Sequence, residues 1–223
     1  QRLFDIFFSG LAILVLAPLS IPIVILLRFT GEGEIFYVQQ RIGKDGKRFG
    51  LLKFATMLKD SPNMTTGTVT VKEDPRILPM GHFLRKTKIN ELPQLINILK
   101  GDMSIVGPRP QTQRCFDAFP KDVQEQVVKV RPGLSGIGSI IFRDEENMPD
   151  GVADQVAFYD QVIAPYKGAL EKWYIQNPGI KNYFLIIVIT VWVVLNPKSR
   201  IVWTTFTDLP TPPPELAFID GQY

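Results

Sequence analysis

Two apolar runs bracket a mixed interior. Residues 6–27, IFFSGLAILVLAPLSIPIVILL, carry no charge between Asp5 and Arg28. As a helix rising ~1.5 Å per residue, this run is roughly 33 Å long, close to the ~30 Å of bilayer hydrocarbon. Length alone therefore predicts a transmembrane helix. A secretory signal is disfavoured, because the run is too long and no small-x-small cleavage site follows it. Pro18 and Pro22 argue for another path. Each lacks an N–H and crowds the preceding turn, at ~3 kcal/mol per site in a straight helix. The carbonyls they free need partners, and the Ser20 hydroxyl is placed to supply one. A bend over Pro18, Ser20 and Pro22 would return the helix to the leaflet it entered, with Arg2 and Arg28 at one phosphate surface. A kinked span and a re-entrant hairpin both fit. The lack of a matching span later in the chain favours re-entry.

The second run, residues 183–195 (YFLIIVITVWVVL), is too short to span and reads as an interfacial or buried helix between Asn177-Pro178 and Asn196-Pro197. Trp173, Tyr174, Trp192 and Trp203 suit a headgroup-level belt or, equally, a core. Strand-like runs at 35–42 and 48–57 flank Gly43-Lys44-Asp45-Gly46-Lys47, and Asp-Gly between such runs signals a hairpin. Residues 61–73 read as a loop. Short helices are expected at 81–88, 91–100 and 120–129, the second closed by Gly101 with Lys100 suiting its C-terminal dipole. Helices at 153–163 and 166–176 are separated by Pro165, and Gly107-Pro108-Arg109-Pro110 is irregular. The fold class is α+β, mostly helical, with a small β-hairpin, lying against a membrane.

Composition narrows the chemistry. Lys and Arg total 25 against 22 Asp and Glu, a net +3 that argues against a nucleic-acid partner. One cysteine (Cys115) and one histidine (His82) exclude a disulfide framework, a Cys/His zinc site and a two-cysteine redox motif. Carboxylates, lysines, arginines and a hard metal must carry any reaction. Neither Gly-x-Gly-x-x-Gly nor Gly-x₄-Gly-Lys-Ser/Thr occurs. Instead, cations stand beside glycine and proline: Arg41, Lys53, Arg76, Arg85 with Lys86 and Lys88, Arg109 and Arg131. A guanidinium on rigid backbone is a preformed fork for phosphate oxygens, although most single arginines are solvated surface charges. Arg143 belongs to a charged run, Phe142-Arg143-Asp144-Glu145, that reads as part of a site or as a surface loop. Of the carboxylates Asp74, Glu91, Asp102, Asp144, Glu145, Glu146 and Asp160, Glu91 is the best magnesium candidate, because it follows the basic run and opens an apolar helix. Its plainer role is N-terminal helix charge, worth ~0.3–1 kcal/mol.

The block KTKINELPQLINILKGDMSIVGPRP (residues 86–110) resembles the bacterial sugar transferases, the monotopic phosphoglycosyl transferases that initiate polysaccharide and glycoconjugate assembly. VQQRIGKDGK (38–47), LKFATM (52–57), VRPGLSG (130–136) and the proline-broken apolar start resemble the family in order and spacing. The resemblance covers residues 1–200. It implies transfer of a sugar 1-phosphate from a UDP-sugar to polyprenyl (undecaprenyl) phosphate, with Mg²⁺ assisting and UMP leaving. It also implies a re-entrant N-terminal helix (1–30), a catalytic domain with interfacial amphipathic helices (31–200) at the cytoplasmic face of the bacterial inner membrane, and a C-terminal extension (201–223). Association of two copies is left open.

In the family, an Asp-Glu pair precedes Leu-Pro, and the Asp attacks the β-phosphate. Here those positions are Asn90 and Glu91. An amide does not form an acyl phosphate, so three readings stand: an engineered substitution, Glu91 acting as nucleophile or as base for direct attack by the lipid phosphate, or a silent, membrane-associated binding homologue. Ala17 is a second departure, where family members often carry Ser. Arg41, Lys53, Arg85, Arg109, Arg131 and Arg143 are the expected phosphate-binding residues. Sugar choice is expected to reside in residues 65–72 and 137–150.

Overall fold

In the computed structural model, residues 1–64, 74–143 and 154–219 are described. The expectations for residues 65–72 and for Asp144, Glu145 and Glu146 lie outside them. In chain order the elements are α1 (Arg2–Phe29), β1 (Phe36–Ile42), β2 (Arg48–Phe54), α2 (Pro79–Lys86), α3 (Gln94–Lys100), β3 (Ser104–Val106), α4 (Gln113–Asp117), α5 (Lys121–Val127) and β4 (Gly133–Ser135). There follow α6 (Ile137–Ile141), α7 (Gln155–Phe158), a π-turn (Tyr159–Ile163), α8 (Ala164–Gln176), α9 (Ile180–Leu195) and α10 (Ile201–Thr205).

The two prolines of α1 lie inside one uninterrupted helix rather than at a break. Ser20 does not serve the carbonyls they free, which belong to residues 14 and 18. Its hydroxyl donates to the Leu16 carbonyl at 3.0 Å, the ordinary i−4 back-bond of a helical serine. The helix is held to the body at three levels. Near its start the buried Asp5 carboxylate accepts from the Ser104 hydroxyl (2.9 Å), the Ile105 N–H (3.0 Å) and the Tyr183 hydroxyl (2.9 Å). Ala12, Ile13 and Leu16 pack on Leu51, Leu95, Ile98 and Met103 in the middle. Ile23 and Leu27 close on Phe54 and Leu84 further along. Arg2 is not left for a headgroup, since its guanidinium donates to the Ile98 and Leu99 carbonyls at the end of α3. Arg28 donates to the Gly33 carbonyl.

The hairpin forms as expected. β1 and β2 pair antiparallel from Phe36 opposite Phe54 to Ile42 opposite Arg48, through a turn with Asp45 and Gly46 at φ 57° and 69°. β3 and β4 pair in parallel, Ser104 with Gly133 and Val106 with Ser135. Only glycine fits that crossing, because a Cβ on Gly133 would stand 2.1 Å from the Gly107 nitrogen. Gly101 ends α3 at φ 96°, also as expected.

Pro165 does not separate two helices. The π-turn Tyr159–Ile163 runs directly into α8, and this wider turn carries the chain past a residue that has no N–H to give. α9 begins at Ile180 and buries Tyr183, Ile186, Ile189 and Val193, while Val188, Val191, Trp192 and Leu195 stay exposed. The aromatic-belt expectation fails for Trp173 and Tyr174. Trp173 is buried with Nε1 donating to Asp208, and the Tyr174 hydroxyl turns inward to the Val106 carbonyl. From the C-terminal extension, Val202, Phe206 and Leu216 join Tyr159, Ile163 and Leu170 in the largest core cluster.

The outer face of α1 is apolar and bare, with Leu3, Phe7, Leu11, Leu14, Val15 and Phe29 among its exposed residues. Phe4 and Phe8 contact Phe184 of α9, joining this face to the exposed side of α9. Among the described residues, α1 is the one helix long and apolar enough to cross a membrane by length and composition.

Candidate active site

A cavity of about 460 Å³ opens between the hairpin, α6, α8 and α9. Its floor is the segment the sequence singles out. Lys88, at φ 60°, turns the chain out of α2 into a tight 3₁₀ turn, Ile89–Glu91, that presents Asn90 and Glu91. Glu91 therefore precedes α3 rather than opening it, since α3 starts at Gln94.

Glu91 Oε1 accepts from Arg109 Nη2 at 2.7 Å and lies 4.0 Å from Lys53 Nζ. These residues come from three places: the 3₁₀ turn, the Gly107-Pro108-Arg109-Pro110 loop after β3, and β2. Burial pushes the Glu91 carboxyl up, yet Arg109 and Lys53 together hold it well below the usual carboxylate range. Burial also dominates at Lys53 and brings its ammonium down to about 7, against the pull of Glu91 and with Arg41, Arg109 and Arg85 adding to the fall. The result is an ionised carboxylate facing a fixed guanidinium and a lysine poised near neutrality.

The other expected cations divide. Arg41 lines the cavity, with Nη1 donating to the Pro110 carbonyl at 3.0 Å. Arg85 lines it beside Met57. Arg143 lines it with Nη1 on the Val193 carbonyl. Arg131 does not belong to this wall. Its Nε donates to the Gly101 carbonyl at 2.9 Å, so the guanidinium ties β4's approach to the end of α3. Arg76 is likewise structural, buried against Asp74 and donating to the Ser61 carbonyl at 2.8 Å. Asp102 accepts from Asn97, Asp160 pairs with Arg114 at 2.9 Å, and His82 is exposed away from the cavity.

Ser139 and Phe142, from the 137–150 segment, line the wall, whereas Tyr159, Lys167 and, just behind the wall, Glu171 had no sequence signal strong enough to raise them. Lys167 and Glu171 are four apart on a helix whose neighbours Ala164 and Leu170 are fully buried, and that face was the available clue. Asn90 Oδ1, Ser139 Oγ and Arg143 Nε are buried without a hydrogen-bond partner among the described residues, and all three belong to cavity-lining residues. Buried polar atoms are normally satisfied, so three orphans around one cavity mark a wall built for a polar ligand. The α9 side differs in kind: Ile187, Val191 and Val194 give it an apolar lip continuous with the exposed face of that helix.

The description "Bacterial sugar transferase" matches residues 1–197. The chain belongs to that family, the phosphoglycosyl transferases. The transferase is 35% identical over 167 residues to the exopolysaccharide production protein ExoY of Sinorhizobium fredii, covering 69% of this chain and 74% of that protein. It is 31% identical over 209 residues to the undecaprenyl-phosphate galactose phosphotransferase of Salmonella typhimurium, covering 87% of this chain and 40% of that longer protein. It is 34% identical over 145 residues to the undecaprenyl-phosphate glucose phosphotransferase of Komagataeibacter xylinus, covering 63% of this chain and 27% of that protein.

The residues present fit a magnesium ion bound jointly with a diphosphate. Among the described residues no three His, Cys, Asp or Glu converge. Glu91 Oε2, however, makes no hydrogen bond among them, and Asn90 Oδ1 is an orphaned oxygen on the same turn. One carboxylate and one amide oxygen, completed by phosphate oxygens and water, is an ordinary magnesium set.

Proposed function

We propose that this transferase moves a sugar 1-phosphate from a UDP-sugar to undecaprenyl or a related polyprenyl phosphate, releasing UMP, at the cytoplasmic face of a bacterial inner membrane. The observation that carries the reading is the Glu91 carboxylate, held by Arg109 and facing Lys53, on the floor of a cavity with a cationic wall and an apolar lip. Two of the relatives named above are undecaprenyl-phosphate phosphotransferases, one for galactose and one for glucose, which supports the same acceptor here.

In this reading Arg41, Arg85, Arg109 and Arg143 take the diphosphate charge, and the lipid enters along α9 with its phosphate at the cavity mouth. Glu91 and Asn90 would hold magnesium, which when bound neutralises charge building on the departing UMP. The bond from the β-phosphorus to the bridging oxygen breaks, UMP leaves with that electron pair, and a new P–O bond forms. With an amide at Asn90, either the lipid phosphate forms that bond directly, with Glu91 as its base, or the Glu91 carboxylate forms it first and the lipid phosphate then attacks the same phosphorus, breaking the carboxyl–phosphorus bond and freeing Glu91.

The bare apolar faces of α1 and α9 support insertion into one leaflet, with both ends of α1 on the side of the body they contact. An exposed apolar surface of this extent marks a membrane or partner contact. Cysteine accessibility at positions 2 and 28 tests this. Labelling of the two from opposite sides establishes a span instead.

Asn90 favours a second reading, a silent homologue that binds without turnover. The deciding experiment is UMP release in nanodiscs containing undecaprenyl phosphate and Mg²⁺, screened over UDP-glucose, UDP-galactose and UDP-N-acetylgalactosamine. Binding with no UMP from any donor supports the silent reading.

A further inference from the structure

Glu171 takes no part in the chemistry above, yet its placement is costly enough to need a reason. The side chain is fully buried in α8. Its Oε1 accepts the Arg109 backbone N–H at 3.2 Å, and its Oε2 has no hydrogen-bond partner among the described residues. A carboxylate in such a place carries a desolvation penalty that one neutral donor does not offset. Lys167, one turn earlier on α8 and itself buried, and the Arg109 charge are the cations that favour its ionised form.

The surrounding backbone is cut to admit this group. A Cβ on Gly138 would lie 2.5 Å from Glu171 Oε1 and 3.0 Å from its Cδ. The start of α6 therefore reaches the carboxylate only because it carries glycine there. Glu171 thus joins α8 to the loop that carries Arg109, at the residue whose guanidinium meets Glu91 2.7 Å away.

We infer that Glu171 is the positioning residue for Arg109: by accepting the Arg109 N–H it fixes where the guanidinium meets Glu91. It touches neither donor nor acceptor and works through the loop. Its kinetic consequences rest on the activity proposed above, and its effect on the Arg109 amide does not.

The test uses the full chain in nanodiscs. Glu171→Met removes the acceptor at similar volume, and Glu171→Gln keeps an oxygen for the same N–H. With the UDP-sugar of the panel that the parent uses best, Glu171→Met should lower kcat ~100-fold, the usual cost of a misplacement near 1 Å, with KM changed by less than about threefold. Glu171→Gln should restore kcat to within about fivefold of the parent, because it retains the acceptor. In an Arg109→Ala background, Glu171→Met should cost less than about twofold more, because its route of action is gone. Gly138→Ala, whose methyl displaces the carboxylate, should mimic Glu171→Met and replaces it if that variant does not fold.

The activity-free arm is the Arg109 amide resonance in ¹⁵N-arginine-labelled protein, expected to shift upfield in Glu171→Met and to stay near the parent position in Glu171→Gln. Additive losses with Arg109→Ala, a Gln variant as slow as the Met variant, or an unmoved Arg109 amide each overturn the inference. A parent with no turnover overturns the proposed function instead and leaves the amide measurement to decide this point.

Discussion

Replacing Asp5 by alanine tests what holds the apolar helix to the body. The Asp5 carboxylate is 2% exposed and accepts from Ser104 Oγ, Ile105 N and Tyr183 OH at 2.9–3.0 Å. Truncation removes the acceptor of the Ile105 N–H and of the Tyr183 and Ser104 hydroxyls, although Ser104 Oγ still accepts from Gln1 Nε2. Bonds to an ionised acceptor contribute ~1.5–3 kcal/mol each, and the carboxylate's own burial cost offsets part of the sum. We expect a loss of about 4 kcal/mol for Asp5→Ala and about half that for Asp5→Asn, whose amide oxygen still accepts. For a chain of this size, roughly 2–4 °C per kcal/mol makes the alanine shift about 8–16 °C in Tm, read by circular dichroism in detergent micelles. Tyr183→Phe should cost about 1 kcal/mol alone and much less in the Asp5→Ala background, since the two groups share one bond. Hydrogen exchange should rise at the first turns of α1 and stay unchanged near Leu27, which packs in a separate cluster. An Asp5→Ala shift below about 3 °C, or additivity with Tyr183→Phe, would refute this account of the helix anchor.

Three further outcomes are expected. Glu91→Gln should lower UMP formation at least ~100-fold, as expected for a positioned acid–base or nucleophilic carboxylate, and unchanged turnover removes Glu91 from the mechanism. Asn90→Asp supplies an ionisable carboxylate at a cavity-lining position, so it should raise turnover and give a phosphosugar adduct detectable by mass spectrometry; no gain and no adduct would exclude position 90 as a latent nucleophile. Stability should pass through a minimum near neutral pH. Burial raises the Glu171 carboxyl to about 7, so its contribution is complete below the usual 4.5 and lost as pH climbs through 7. Burial lowers Lys53 to about 7, so its penalty is complete below 7 and relieved as pH rises toward 10.5. Glu91, held far below 4.5, is ionised in both states above about pH 6 and adds no slope there. Urea midpoints in detergent from pH 4.5 to 10 measure the profile; Glu171→Gln should flatten its acid limb, and an unchanged limb contradicts the assignment.

Much of the local architecture was legible because its causes are local. Asp45-Gly46 forces the hairpin turn, Gly101 supplies the left-handed residue that ends α3, and the uncharged stretch from Ile6 to Leu27 sets the extent of α1. Glu91 and Arg109 were both identified from the character of their neighbours. Their contact, across 18 residues of sequence, was not visible in either segment. Arg109 and Arg131 share the same Arg-Pro context, yet one reaches the cavity and the other caps Gly101 from outside it. Nothing within a few residues of either distinguishes them, because the direction of a long side chain depends on what packs around it.

The same limit hid the burial of Trp173 under residues that follow α9, the passage of Pro165 through a π-turn, and the reach of Glu171 to an N–H 62 positions away. Turn, cap and apolar-run signals depend on backbone sterics and solvent transfer within one segment, so the chain carries them wherever it folds. Which cations meet the carboxylate depends on how β3, β4, α6 and α8 pack. That is an energy shared among residues far apart, and it exists only once the tertiary structure has formed.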